Sequence, residues 1–101
     1  MLKYDVRRHT LYVCLEDELD HHAALRLRQE LDEILQDKTI RHLVLDLKNL
    51  KFMDSSGIGF IIGRYKLMTR RAGTVAVMNS DRRMDRIFEM AGLYRLVQRL
   101  A

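Results

Sequence analysis

His42-Leu43-Val44-Leu45-Asp46-Leu47 is a short, nearly continuous apolar run, the pattern of a central strand covered on both faces. The rest of the chain can be ordered around it. Upstream, Ala24, Leu27, Leu31, Ile34 and Leu35 recur at three- and four-residue steps and form one helical apolar stripe. Asp20 stands just ahead of that helix, where a carboxylate accepts from free backbone N–H groups. Earlier still, Leu11-Tyr12-Val13-Cys14-Leu15 reads as a strand closed by the acidic Glu16-Asp17-Glu18. The stretch Lys3 to Arg8 pairs with it as a hairpin through His9-Thr10.

Downstream, Lys51 to Gly59 reads as a connection into a second helix, with Ile58, Ile61, Ile62, Tyr65, Met68 and Ala72 as its buried stripe. Gly73 ends that helix, and Thr74-Val75-Ala76-Val77-Met78 is a third apolar strand. Ser80 or Asp81 caps a short helix faced by Met84, Ile87, Phe88 and Ala91, which Gly92 terminates. These apolar residues read as core, with part of the helix bordering the serine loop below. Leu93 to Leu100 is a last strand-like stretch. The order β-β-α-β-α-β-α-β requires right-handed parallel crossovers after an antiparallel hairpin. The predicted fold is α/β, a mixed sheet of four or five strands with helices packed mainly on one side.

With 101 residues, the chain builds one core, so residues 1–101 are expected to form a single domain. No apolar run reaches the ~18 residues of a membrane span, and the first residues lack the stretch of a signal peptide, so a cytoplasmic chain is expected. The single Cys14 has no internal partner and reads as a small buried thiol. A net charge of +4 is mild, and its basic pairs at Arg7-Arg8, Arg70-Arg71 and Arg82-Arg83 are scattered. Without Trp and with no aromatic platform, nucleic-acid binding is not expected. His21-His22 lacks the Cys or carboxylate set that would complete a metal site, so neither metal nor cofactor is expected.

Chemistry concentrates at Asp54-Ser55-Ser56-Gly57, at the carboxyl end of a strand, where α/β sheets place their binding loops. A serine here can simply cap the helix. Two adjacent serines stand where one cap would do, however, with an acid before them and glycines after at 57, 59 and 63. Each glycine inside a helix costs about 1 kcal/mol relative to alanine. Gly59 and Gly63 share a face with Ser56 and Phe60, so either a neighbouring element packs there or a partner docks. Phe60 falls outside the buried stripe, which favours docking.

Enzyme motifs fail at this loop. Counted from Ser56, Asp54 occupies the first glycine position of Gly-x-Ser-x-Gly. Gly63 is followed by Arg64 rather than Lys, and the third glycine comes four positions after the second, so neither a P-loop nor a dinucleotide fingerprint is met. A phospho-acceptor Asp54 would need a lysine after the late strand, where Asn79-Ser80 stands instead. A phosphate on a serine is physically reasonable, because a helix N-terminus offers N–H donors and a positive dipole end. On the residues alone, Ser55 and Ser56 are equal candidates.

The stretch Phe52 to Lys66, together with Glu18-Leu19-Asp20-His21-His22, Ile40 to Leu45 and Arg86 to Leu93, resembles the bacterial anti-sigma factor antagonists of the STAS domain family, most narrowly its sporulation members. The resemblance implies a regulator rather than an enzyme. Its unphosphorylated form would bind an anti-sigma factor that is also a serine kinase, releasing a sporulation sigma factor. Phosphorylation at Ser55 would end that interaction, and a serine phosphatase would restore it. The resemblance also implies a partner surface of Asp20, Ser55, Ser56, Gly57, Ile58 and Gly59. Asp17 stands where close relatives often carry Gly, which leaves the local turn open, and relatives usually continue into a further helix after the last strand. Two other readings are a STAS module of a stress pathway and a nucleotide-binding protein. A monomer, or a dimer that exchanges its N-terminal strand, is expected.

Overall fold

The computed structural model describes residues 2–100. Strands β1 (Lys3–Arg7) and β2 (Thr10–Leu19) form a hairpin, followed by α1 (His21–Ile34), β3 (His42–Met53), α2 (Ser55–Thr69), β4 (Thr74–Met78), α3 (Arg82–Met90), a 3₁₀ turn (Leu93–Arg95) and β5 (Gln98–Leu100). The sheet runs in the order β1-β2-β3-β4-β5, with β1 antiparallel to β2 and the remaining neighbours parallel. This is the mixed α/β architecture expected.

The period of two in the strands decides which face is covered. Leu11, Val13 and Leu15 of β2, Leu43, Leu45 and Leu47 of β3, and Val75 and Val77 of β4 are all buried. They form one core with Leu31 and Leu35 of α1, Ile61 and Met68 of α2, and Met84 and Phe88 of α3. On the opposite face Tyr12, Cys14, Asp46 and Met78 are only half-buried, so Cys14 is less enclosed than its sequence context suggests. Val44, also on that face, is buried, and β3 is the central strand its composition indicated.

Several boundaries differ from the sequence expectation. The acidic Glu16-Asp17-Glu18 does not close β2, which continues to Leu19 beside an equally extended β3, with Glu16 opposite Asn49 and Leu19 opposite Met53. The charged residues interrupt the alternation without ending the ladder, and Leu19, Leu50 and Met53 beyond them are buried in the same core. Lys51-Phe52-Met53 therefore belongs to β3 rather than to a connection. The first turn uses Arg8, at φ 57°, one residue earlier than expected. Helix α2 stops at Thr69, and Ala72, with φ 56°, lies outside its stripe. Gly73 then accommodates the Arg41 carbonyl oxygen where a Cβ would stand. Gly92 does turn the chain after α3, at φ 73°. Of the stretch Leu93 to Leu100 only Gln98–Leu100 is strand, because Leu93 and Val97 are buried at a helical spacing of four.

Asp17 sits at φ 61°, beside the second irregularity in the β2–β3 register. That conformation favours glycine, and aspartate is among the residues that tolerate it. Asp17→Gly should therefore leave the fold unchanged and raise stability by about 0.5–1 kcal/mol, read from urea denaturation.

The last strand is tied to α3 by one polar cluster. Tyr94 donates to the Asp85 carboxylate, which also accepts from Ser80 at 2.6 Å and from Arg99 at 3.0 Å. The Tyr94 ring meets Phe88 edge-on at 5.6 Å. Burial pushes the Asp85 carboxyl up, but hydrogen bonds from Ser80, Tyr94 and Arg99 outweigh it and hold the group below its usual range. Burial and the Asp85 hydrogen bond raise the Tyr94 phenol to about 12. An unfolded tyrosine titrates near ~10. The phenol's stabilisation is thus complete below about pH 10 and is lost as pH rises through its folded value. Tyr94→Phe should cost about 1 kcal/mol at pH 8, and in paired urea melts the gap to wild type should stay constant up to about pH 10 and narrow from there toward pH 12.

Candidate functional site

Three parallel strands each deliver a helix at the same end of the sheet, and each helix is capped by an aspartate. Asp20 Oδ1 accepts from Ala23 N at 2.9 Å, Asp54 Oδ1 from Ser56 N at 2.8 Å, and Asp81 Oδ1 from Met84 N at 2.8 Å. Each bond satisfies one backbone donor that the first helical turn leaves free. Because Leu19 pairs with Met53, Asp20 and Asp54 are the next residues on adjacent strands. The Asp20 and Ser55 segments thus share one edge of the molecule, although they lie far apart in the chain.

The cap is Asp54, and neither serine serves as one. Ser55 is the first residue of α2 and is exposed, while Ser56 is half-buried. Among the described residues neither hydroxyl has a hydrogen-bond partner. Gly57 is buried beneath them, and a Cβ there would strike the Met53 side chain and lie 3.2 Å from Leu19 Cδ2. Only glycine lets α2 begin this close to the β2–β3 pair.

Beyond this point the two serines open onto different surfaces. Ser55 borders an open depression of about 470 Å³ walled by Met53, Ile58, Ile87, Met90 and Ala91. Met90 is 82% exposed, an unusual position for a large apolar side chain. Ser56 instead opens a groove of about 230 Å³ between α1 and α2, floored by Gly59 and Gly63. No heavy atom lies within 4 Å of the Cβ position at Gly59 or Gly63, so no neighbouring element packs on that glycine face. Phe60, expected as a docking residue, is only 5% exposed. Helix α2 packs against α1 as well as the sheet, so its buried arc is wider than one stripe and takes in Phe60 and Arg64.

Of the residues singled out in the sequence, Asp20, Ser55, Ser56, Gly57, Ile58 and Gly59 gather at this edge. His21 and His22 touch edge-on, with ring centroids 5.9 Å apart, and both are exposed. Among the described residues no group of three or more His, Cys, Asp or Glu could hold a metal ion. No described helix is long and apolar enough to cross a membrane. The apolar walls supplied by Met53 and Met90 went unrecognised in the sequence. Their only signal was a methionine at the last position of α3, off the stripe of Met84 and Phe88.

The STAS domain profile matches residues 2–101. The chain is 42% identical over 96 residues to the anti-sigma F factor antagonist of Paenibacillus polymyxa, covering 95% of this chain and 82% of that one. It is 28% identical to the anti-sigma-B factor antagonist of Bacillus subtilis, covering 86% and 78% respectively. Among solved structures, SpoIIAA in its unphosphorylated form superposes with a TM-score of 0.80 at 25% identity, covering 100% of this chain and 88% of that one. The phosphorylated form of Bacillus SpoIIAA gives a TM-score of 0.78 at 27% identity, covering 100% and 92%. With the profile spanning nearly its whole length and the same fold in these relatives, the chain belongs to the STAS domain family.

Proposed function

We propose that this chain is an anti-sigma factor antagonist working in the cytoplasm as a regulator rather than an enzyme, as a monomer or a dimer exchanging β1. In its unmodified form it binds an anti-sigma factor that is also a serine kinase, and so releases a sporulation sigma factor. Phosphorylation of Ser55 ends the interaction, and a serine phosphatase reverses it. The observation that carries this reading is the placement of Ser55: an exposed, unpartnered hydroxyl at the first position of α2, held beside an apolar depression by the Asp54 cap. A partner seated on Met53, Ile58 and Met90 would enclose that hydroxyl. A dianion there would have to be desolvated against apolar side chains, at a cost of several kcal/mol, while the helix itself tolerates the charge at its N-terminus.

Asp20, Ser56, Gly57, Ile58 and Gly59 complete the proposed partner surface. The greater identity to the anti-sigma F antagonist than to the anti-sigma-B antagonist favours the sporulation branch over a stress pathway. The test is a transcription assay in which the purified chain is titrated into the complex of sigma F with the anti-sigma F factor of Paenibacillus polymyxa. Recovery of sigma F-dependent transcription in proportion to added chain supports the reading. No recovery with a complex that the Paenibacillus antagonist itself dissociates would overturn it.

A further inference from the structure

The groove between α1 and α2 has two features that the docking of Ser55 does not use. Its floor is bare backbone at Gly59 and Gly63, open to an incoming side chain. Its far end is basic. Arg64 is 6% exposed, with its guanidinium carbon 5.3 Å from the centre of the Phe60 ring and its Nε 3.0 Å from Asp32 Oδ1. Its Nη1 is buried and has no hydrogen-bond partner among the described residues. Buried guanidinium donors are ordinarily paired, because leaving one unpaired forfeits its hydration. Arg28, exposed on α1, lines the same groove. Burial lowers the Arg64 guanidinium from its ordinary value, Asp32 raises it, and the like charge of Arg28 lowers it further.

We propose that this groove is a second docking site for the anti-sigma partner, receiving an acidic segment whose apolar side chain rests on Gly59 and Gly63 and whose carboxylate pairs with Arg28 and Arg64. The proposal rests on the function proposed above and extends its surface from Ser55 through Ser56 along α2. Two cations against one partly exposed aspartate leave a net positive charge at the end of a channel whose middle is lined by Ala24, Leu25, Gly59 and Gly63. A carboxylate would supply the acceptor that Arg64 Nη1 lacks, and charge-assisted pairs of this kind are the strong ones. Arg28, still in solvent, would set the on-rate and the salt dependence.

The test is a binding titration against purified Paenibacillus polymyxa anti-sigma F factor at two salt concentrations. Arg28→Glu reverses the charge at the rim. Gly63→Met fills the floor: its Cβ position has nothing within 4 Å, and the flexible remainder of the side chain occupies the groove. Lys38→Glu, in the α1–β3 turn at the other end of the sheet, controls for net charge. Arg64 is left intact, because removing it would strand Asp32. The expected result is wild-type binding, a loss of at least about tenfold for Arg28→Glu with a weaker salt dependence, a similar loss for Gly63→Met, and a change within about twofold for Lys38→Glu. Unchanged melting temperatures exclude unfolding as the cause. Wild-type affinity in both groove variants would overturn this inference and leave the proposed function standing. Failure of the wild-type chain to bind would overturn both.

Discussion

Ser55→Asp is expected to bind the anti-sigma F factor at least about 100-fold more weakly than wild type, while melting within a few degrees of it. The two halves of that result have different causes. Affinity falls because a carboxylate must be desolvated against Met53, Ile58 and Met90 when the partner closes over the depression. Stability holds because Ser55 is exposed, and a negative charge in the first turn of a helix is favourable. Ser55→Ala, which adds neither charge nor bulk, should retain binding. Isothermal titration and thermal denaturation of the three proteins separate the effects. A large fall in melting temperature for Ser55→Asp would mean that charge unfolds the helix start instead of blocking a surface.

Phe60→Ala should cost about 3 kcal/mol of stability, the range for truncating a buried phenylalanine. Phe60 lies in the core cluster and also supplies the ring face that Arg64 rests on, so truncation opens a cavity and removes a cation–π contact together. Urea denaturation measures the loss. A change below about 0.5 kcal/mol would instead fit an exposed docking residue.

Phe60 also marks where the sequence stops being legible. In α1 and α3 more polar residues separate the apolar ones, and periodicity finds most of the buried stripe, although Ala23 rather than Ala24 is buried in α1 and Ala91 lies exposed just past the end of α3. Helix α2 reads Ile58-Gly59-Phe60-Ile61-Ile62-Gly63, apolar nearly all round, and periodicity cannot tell a stripe from a wide arc. The Arg64–Asp32 pair was equally invisible, since a charged residue on one helix carries no mark of a partner on another. The long ends of β2 and β3 were missed because Glu16-Asp17-Glu18 and two register irregularities break the period of two before the buried Leu19, Leu50 and Met53 resume it. The gathering of Asp20 with the Ser55 loop was legible only through the motif, and its physical basis is the Leu19–Met53 register. Asp54 as the cap, which leaves both serine hydroxyls unpartnered, was hidden because serine and aspartate are almost equally good N-caps.

The most direct test of the phosphorylation switch is intact mass followed by peptide mapping after incubation with the anti-sigma F kinase and ATP, using wild type and Ser55→Ala. One phosphate on wild type, mapped to Ser55 and absent from Ser55→Ala, is the predicted result. Phosphate persisting in Ser55→Ala would move the switch to Ser56 or elsewhere. No phosphate on wild type, with the kinase active on the Paenibacillus antagonist, would contradict the account.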